Sequence, residues 1–126
     1  MQMAGLCVYP TDIGVGGDYV KDFSKAWIQP EFIDHVTAIK KYGAKSDVLF
    51  MSWPPREDDM AAYTVEQHLG SKVIYIGECW GGCTGNDSLF TALIKSFDLV
   101  DTIRIPTWSG VFDKMYFYQR KKLINK

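Results

Sequence analysis

Short continuous apolar runs and stretches of helical spacing follow one another along this chain. Val73-Ile74-Tyr75-Ile76 is rich in β-branched residues and reads as a buried strand. Leu89, Phe90, Leu93, Ile94 and Phe97 then recur at helical spacing behind the N-cap candidates Asn86, Asp87 and Ser88. Between these two elements stand a carboxylate, Glu78, and a small-residue turn, Gly81-Gly82-Cys83-Thr84-Gly85. Strand, acidic tip, glycine turn and helix is how an open α/β sheet builds a ligand crevice at the carboxyl ends of its strands.

The rest of the chain falls around that stretch. Leu6-Cys7-Val8-Tyr9 is a strand candidate stopped by Pro10. Gly14, Gly16 and Gly17 form a loop that reads either as a surface loop or as a backbone concavity for an anion. Val20, Phe23, Trp27 and Ile28 give a loose helical stripe ending before Pro30. A clearer helix is predicted with Pro30 at N1, Phe32, Ile33, Val36 and Ile39 on one face, and Gly43 at C′. Val48-Leu49-Phe50-Met51 is a second apolar run, ended by Ser52-Trp53-Pro54-Pro55, where two prolines stiffen the exit. Asp58 or Asp59 is placed to cap a helix from about Met60 to Leu69, closed by Gly70. Leu99–Ile105 and Met115–Gln119 are strand candidates, with a turn at Trp108-Ser109-Gly110. Their connection is too short for a parallel crossover, so they should be antiparallel neighbours.

Alternation of strands and helices predicts an α/β fold with a mostly parallel sheet, and the final pair adds a reversed strand. Length and composition bound what that fold does. A chain of 126 residues is expected to be one domain, residues 1–126. A net charge of −1 gives no electrostatic case for binding a duplex or a membrane surface. No run approaches the ~20 apolar residues of a membrane span, and the N-terminus lacks the start of a signal peptide. Three cysteines fit a reducing compartment, so cytosol or the interior of a larger particle is expected. Four tryptophans, seven tyrosines and seven phenylalanines are enough to fill a core and leave some for an interface.

Each residue that suggests chemistry has a plainer reading beside it. Asp12, in Pro-Thr-Asp-Ile-Gly, is ordinary turn chemistry as well as a candidate ligand-binding acid. Glu78 is either a site acid or a partner for Arg104 or Lys72. Cys83, beside a helix N-terminus, is a possible nucleophile with only His68 or His35 as base. Cys79 and Cys83 have a C-x₃-C spacing found in zinc sites, but the sequence has no second ligand pair, so no metal is expected. Trp53 and Trp108 fit base stacking or simple packing.

Two segments, VTAIKKYGAKSDVLFMSWPPREDDMA over Val36–Ala61 and KVIYIGECWGGCTGNDSLF over Lys72–Phe90, carry a resemblance. Both look like the C-terminal part of a family of mostly uncharacterised methyltransferase-like proteins of bacteria, eukaryotic microbes and large DNA viruses. The resemblance covers the chain from about Val8 and includes a closing strand pair like Ile105–Trp108 with Asp113–Arg120. It implies a truncated Rossmann-like sheet of the class I S-adenosylmethionine-dependent methyltransferase kind, with about five strands, an antiparallel C-terminal pair and helices on both faces.

The resemblance also assigns roles. Asp12 matches the acid that holds the cofactor's ribose, with Gly14 and Gly16 beside it. Ser52, Trp53, Pro54 and Pro55 match a catalytic loop that holds a target amine, and Glu78 faces the same acceptor. Gly82, Cys83, Thr84 and Asp87 are further loop candidates. Two departures are expected to matter. The family's first strand and glycine-rich cofactor loop should precede Cys7, and Arg56 stands where an aromatic is usual. The expectation is therefore a degenerate, non-catalytic methyltransferase-like domain without bound S-adenosylmethionine. It would act as a binding or assembly module, with Met3–Tyr9, a second copy or another chain covering the open sheet edge. The alternative is an active methyltransferase whose site is completed by a partner or a rearranged N-terminus.

Overall fold

The structure, a computed structural model, describes residues 2–3, 5–16, 19–20 and 22–123. The chain divides into two compact units, Met1–Tyr42 and Gly43–Lys126.

In the first unit the strands are two-residue bridges. β1 (Gln2–Met3) and β2 (Leu6–Cys7) are antiparallel. β3 (Thr11–Asp12) runs parallel to β6 (Glu31–Phe32), while β4 (Val15–Gly16) and β5 (Tyr19–Val20) are antiparallel. Helix α1 (His35–Tyr42) closes the unit. Two sequence expectations are corrected here. The stripe Val20, Phe23, Trp27 and Ile28 is not a helix; Val20 lies in β5 and Trp27 is fully exposed. Nor does α1 start at Pro30. Glu31 and Phe32 are spent in β6, and Asp34 Oδ1 accepts the Thr37 N–H at 2.7 Å, which sets the helix start at His35. Gly17 of the predicted glycine loop lies outside the described residues.

The second unit is mixed α/β. After a 3₁₀ turn (Gly43–Lys45) come β7 (Val48–Ser52), α2 (Met60–Gln67), β8 (Lys72–Gly77), α3 (Asp87–Ser96), β9 (Phe97–Arg104) and β10 (Lys114–Arg120). The sheet has four strands in the order β7-β8-β10-β9, not the five expected. β7 and β8 are parallel; β10 is antiparallel to both β8 and β9, as the short connection predicted. Phe97, placed by its spacing in the helical stripe, begins β9 directly after α3. Arg120 is not tail. It ends β10, its Nε and Nη2 donating to the carbonyls of Gly70 and His68.

One face of this sheet is covered. Met51, Tyr75 and Tyr116 are in register across β7, β8 and β10 and are buried with Ala61 and Val65 of α2 and Leu89, Phe90, Ala92 and Leu93 of α3. Both helices of the unit thus share one core, where helices on both faces were expected. The opposite face carries Phe50, Ile74 and Phe117 in one row and Ile76, Met115 and Ile103 in the next. Val48 (42%), Phe50 (56%) and Ile103 (44%) are exposed on this face, while Ile74, Ile76, Met115 and Phe117 are half-buried. Among the described residues β7 is paired on one side only, to β8.

Candidate functional site

The carboxyl ends of β7 and β8 lie side by side because the two strands are parallel and Ser52 is in register with Ile76. Their exit loops therefore meet. The Trp53 N–H donates to the Ile76 carbonyl at 2.9 Å, and the Gly85 N–H to the Pro54 carbonyl at 2.9 Å. Asn86 Nδ2 donates to the Asp58 carbonyl (3.0 Å) and to Asp59 Oδ1 (2.8 Å). These bonds bring Ser52, Trp53, Pro54, Pro55 and Glu78 to one end of the sheet.

Trp53 takes a left-handed backbone conformation, φ +52°, which costs a residue with a Cβ about 1–2 kcal/mol. Its indole Nε1–H donates to Asp113 Oδ2 at 2.6 Å. Asp113 stands just before β10, whose antiparallel register sets Lys114 opposite Gly77 at this same end of the sheet. Its other carboxylate oxygen is buried without a hydrogen bond. Pro54 is buried, while Ser52, Pro55 and Arg56 are exposed.

The loop after β8 is held from within. Tyr75, fully buried, donates through its hydroxyl to the Glu78 carbonyl at 2.7 Å and lies 2.6 Å from Thr84 Oγ1. Thr84 Oγ1 also accepts the Glu78 N–H at 2.8 Å. Burial raises the Tyr75 phenol to about 12, so it stays a neutral donor. Thr84 is consequently a clamp rather than a ligand-facing group. The glycines follow from the same packing. A Cβ on Gly77 would sit 2.3 Å from Thr84 Oγ1, and one on Gly82 would sit 2.3 Å from Glu78 Cβ. Gly85, at φ +63°, gives Asn86 the extended approach from which its side chain caps α3, accepting the Leu89 N–H at 3.0 Å.

Glu78 is nearly buried and, among the described residues, has no ion-pair partner. Lys72, one partner considered for it, reaches Asp47 at 3.4 Å instead. Of the two histidine candidates for Cys83, His35 lies on α1 of the first unit. His68 is buried with Nε2 2.9 Å from the Lys72 carbonyl, at the start of β8, whereas Cys83 follows its end. A six-residue strand separates those two points by about 16 Å. Burial also pushes the His68 imidazole below its usual range. Among the described residues no three His, Cys, Asp or Glu side chains are grouped to hold a metal ion.

The cofactor-site candidates lie in the first unit. Asp12 Oδ1 accepts the Gly14 N–H at 2.7 Å, an Asx turn. A Cβ on Gly14 would meet the Phe32 ring at 3.0 Å, so an aromatic ring fills the space beside this glycine. Gly16 is paired in β4–β5. Those surroundings do not fit a nucleoside cradle. In the second unit the cleft at the loop ends is shallow, about 270 Å³, and bounded by Arg56, Gly81, Gly85, Asn86, Asp87 and Ser88. That is below the roughly 300–1,000 Å³ usual for small-molecule pockets.

Sequence reasoning missed Tyr75, read only as strand, and Asp113, whose partner is 60 residues away. A tyrosine inside an otherwise aliphatic run, two residues before a glycine, was the one available signal. Compared with protein-family models, curated proteins and solved structures, the chain has no match. No described helix is long and apolar enough to cross a membrane.

Proposed function

We propose that this chain is a Rossmann-like, methyltransferase-like domain that has lost catalysis and works as a binding or assembly module, homo-oligomeric in solution. The observation that carries the reading is the open outer side of the sheet. Val48 and Phe50 are exposed on an edge strand, continuous with Ile74, Ile76, Met115 and Phe117. Exposed apolar rows of this kind, next to unpaired strand edges, mark association surfaces. Among the described residues β7 pairs only with β8.

Methyltransferase kinship is supported by the reversed last strand and by the adjacency of the Ser52–Pro55 and Glu78–Gly85 loops. Loss of catalysis is supported by the small cleft, by Arg56 at a position that the resemblance gives to an aromatic, and by Phe32 against Gly14. S-adenosylmethionine therefore has no part in this reading.

Light scattering behind a sizing column tests it. A dimer or larger species that Phe50→Lys dissociates is the expected result; a strict monomer at high concentration overturns it. One observation favours the enzyme instead: strained, non-glycine backbone such as that of Trp53 clusters at functional sites. Calorimetric titration with S-adenosylmethionine separates the two. Micromolar binding abolished by Asp12→Ala would establish the enzyme reading, with Ser52–Pro55 and Glu78 facing the acceptor; absence of heat is expected.

A further inference from the structure

We propose that β7 pairs with β7 of a second copy, antiparallel and in a two-fold register centred on Phe50, so that two four-stranded sheets join into one. The inference rests on the oligomeric reading above and names the contact that makes the oligomer. In a ladder, every second residue of a strand turns both its N–H and its C=O toward one neighbour, and the residues between turn theirs the other way. Which residues of β7 serve β8 is fixed at the two ends of the strand. The Lys72 N–H donates to the Asp47 carbonyl at 3.1 Å, and the Trp53 N–H donates to the Ile76 carbonyl at 2.9 Å. Asp47, Leu49, Met51 and Trp53 therefore face β8. Val48, Phe50 and Ser52 turn their N–H and C=O to the open edge, where none of these groups has a partner among the described residues. All three residues are exposed.

The edge is not blunted. From Val48 to Ser52 it has no charge, proline or bulge, the devices that keep edge strands apart. Antiparallel pairing about Phe50 sets Phe50 opposite Phe50 and Val48 opposite Ser52 of the second copy, and every free N–H and C=O finds a partner. The neighbouring registers do worse. Sliding one way calls on Ser46, whose N–H already donates to the Gly43 carbonyl at 3.3 Å. Sliding the other way calls on Pro54, which has no N–H and whose carbonyl accepts the Gly85 N–H at 2.9 Å.

A two-fold contact needs a surface that complements itself. The charges flanking β7 do so. Gly43–Ser46 carries one cation, Lys45, and Arg56–Asp59 is net negative; antiparallel pairing puts the first stretch of one copy beside the second stretch of the other. Asp47 is occupied by Lys72 at 3.4 Å. Edge, register and flanking charge all match their own two-fold image, so the occupant is a second copy of this chain.

The test uses the full chain with Cys7, Cys79 and Cys83 changed to serine, so that every thiol is an introduced one. In a hydrogen-bonded antiparallel pair the Cα atoms are about 5.5 Å apart, inside the roughly 4.4–6.8 Å that a disulfide spans. Under mild oxidation Phe50→Cys should therefore give a covalent dimer, as should Val48→Cys combined with Ser52→Cys. Val48→Cys alone should not, because its two thiols would lie on the order of 13 Å apart along the edge. Without introduced thiols, the Val48, Phe50 and Ser52 amides should exchange more than about tenfold slower as rising concentration forms the dimer, while Leu49 and Met51 stay protected throughout by β8. A strict monomer by light scattering sinks the oligomeric reading and the pairing together. A dimer in which those three amides exchange freely, or in which Val48→Cys cross-links as well as Phe50→Cys, overturns the pairing and leaves the oligomeric reading standing.

Discussion

Trp53 and Asp113 are tied across the end of the sheet, indole Nε1–H to Oδ2 at 2.6 Å, while Asp113 Oδ1 is buried without a partner. The bond fixes a tryptophan whose backbone is left-handed at φ +52°. Removing the donor leaves the carboxylate with no bond on either oxygen, which makes it the costlier half of the pair to lose. Trp53→Phe is expected to lower unfolding free energy by about 1–2 kcal/mol, and Asp113→Asn by less, since asparagine keeps an acceptor. Urea titrations of both singles and the double should give a coupling of about 0.5 kcal/mol or more. Additive losses would mean the bond contributes nothing.

The Tyr75 hydroxyl joins the Glu78 carbonyl to Thr84 Oγ1 inside the core. Tyr75→Phe preserves the ring and its T-shaped contact with Phe90 but strips that hydroxyl. A loss of about 1–3 kcal/mol is expected, with faster amide exchange confined to the loop from Glu78 to Gly85. Unchanged exchange there would show that the loop is held by something else.

Gly77, at the end of β8, and Gly81, in the loop that follows it, should respond differently to alanine. Gly77→Ala drives a Cβ to 2.3 Å from Thr84 Oγ1 and 2.6 Å from the Tyr75 hydroxyl, and should cost at least about 3 kcal/mol. Gly81→Ala meets no atom and carries only the left-handed penalty of about 1–2 kcal/mol. Melting temperatures of the two variants check the order; a reversal would be incompatible with the packing described.

Stability should fall toward both extremes of pH. His68 is buried, which lowers its pKa in the folded protein, so its contribution is present above the unfolded value near 6.5 and is lost as pH falls below that. Burial raises Tyr75 and Tyr118 to about 12, so theirs is complete below the unfolded value near 10 and is lost as pH climbs toward 12. Urea midpoints measured across pH should form a plateau from about 7 to 10. His68→Gln should flatten the acid limb alone, and tyrosinate absorbance should rise in step with the alkaline limb.

Periodicity and spacing were enough to place the elements of the second unit. The runs at Val48 and Val73 are strands because four apolar residues bounded by turn formers bury best in a sheet. The short link between the last two candidates left only an antiparallel pairing. The first unit was misread because its apolar spacing is sparse: four apolar residues do not by themselves make a helix, and here Val20 pairs in β5 while Trp27 is fully exposed. Side-chain partners were beyond reach for another reason. Asp113 meets Trp53, and Tyr75 locks Thr84, only after the sheet has brought distant positions together. Local order follows from neighbours along the chain, whereas the contents of the site depend on which strand ends the hydrogen-bonded register sets side by side.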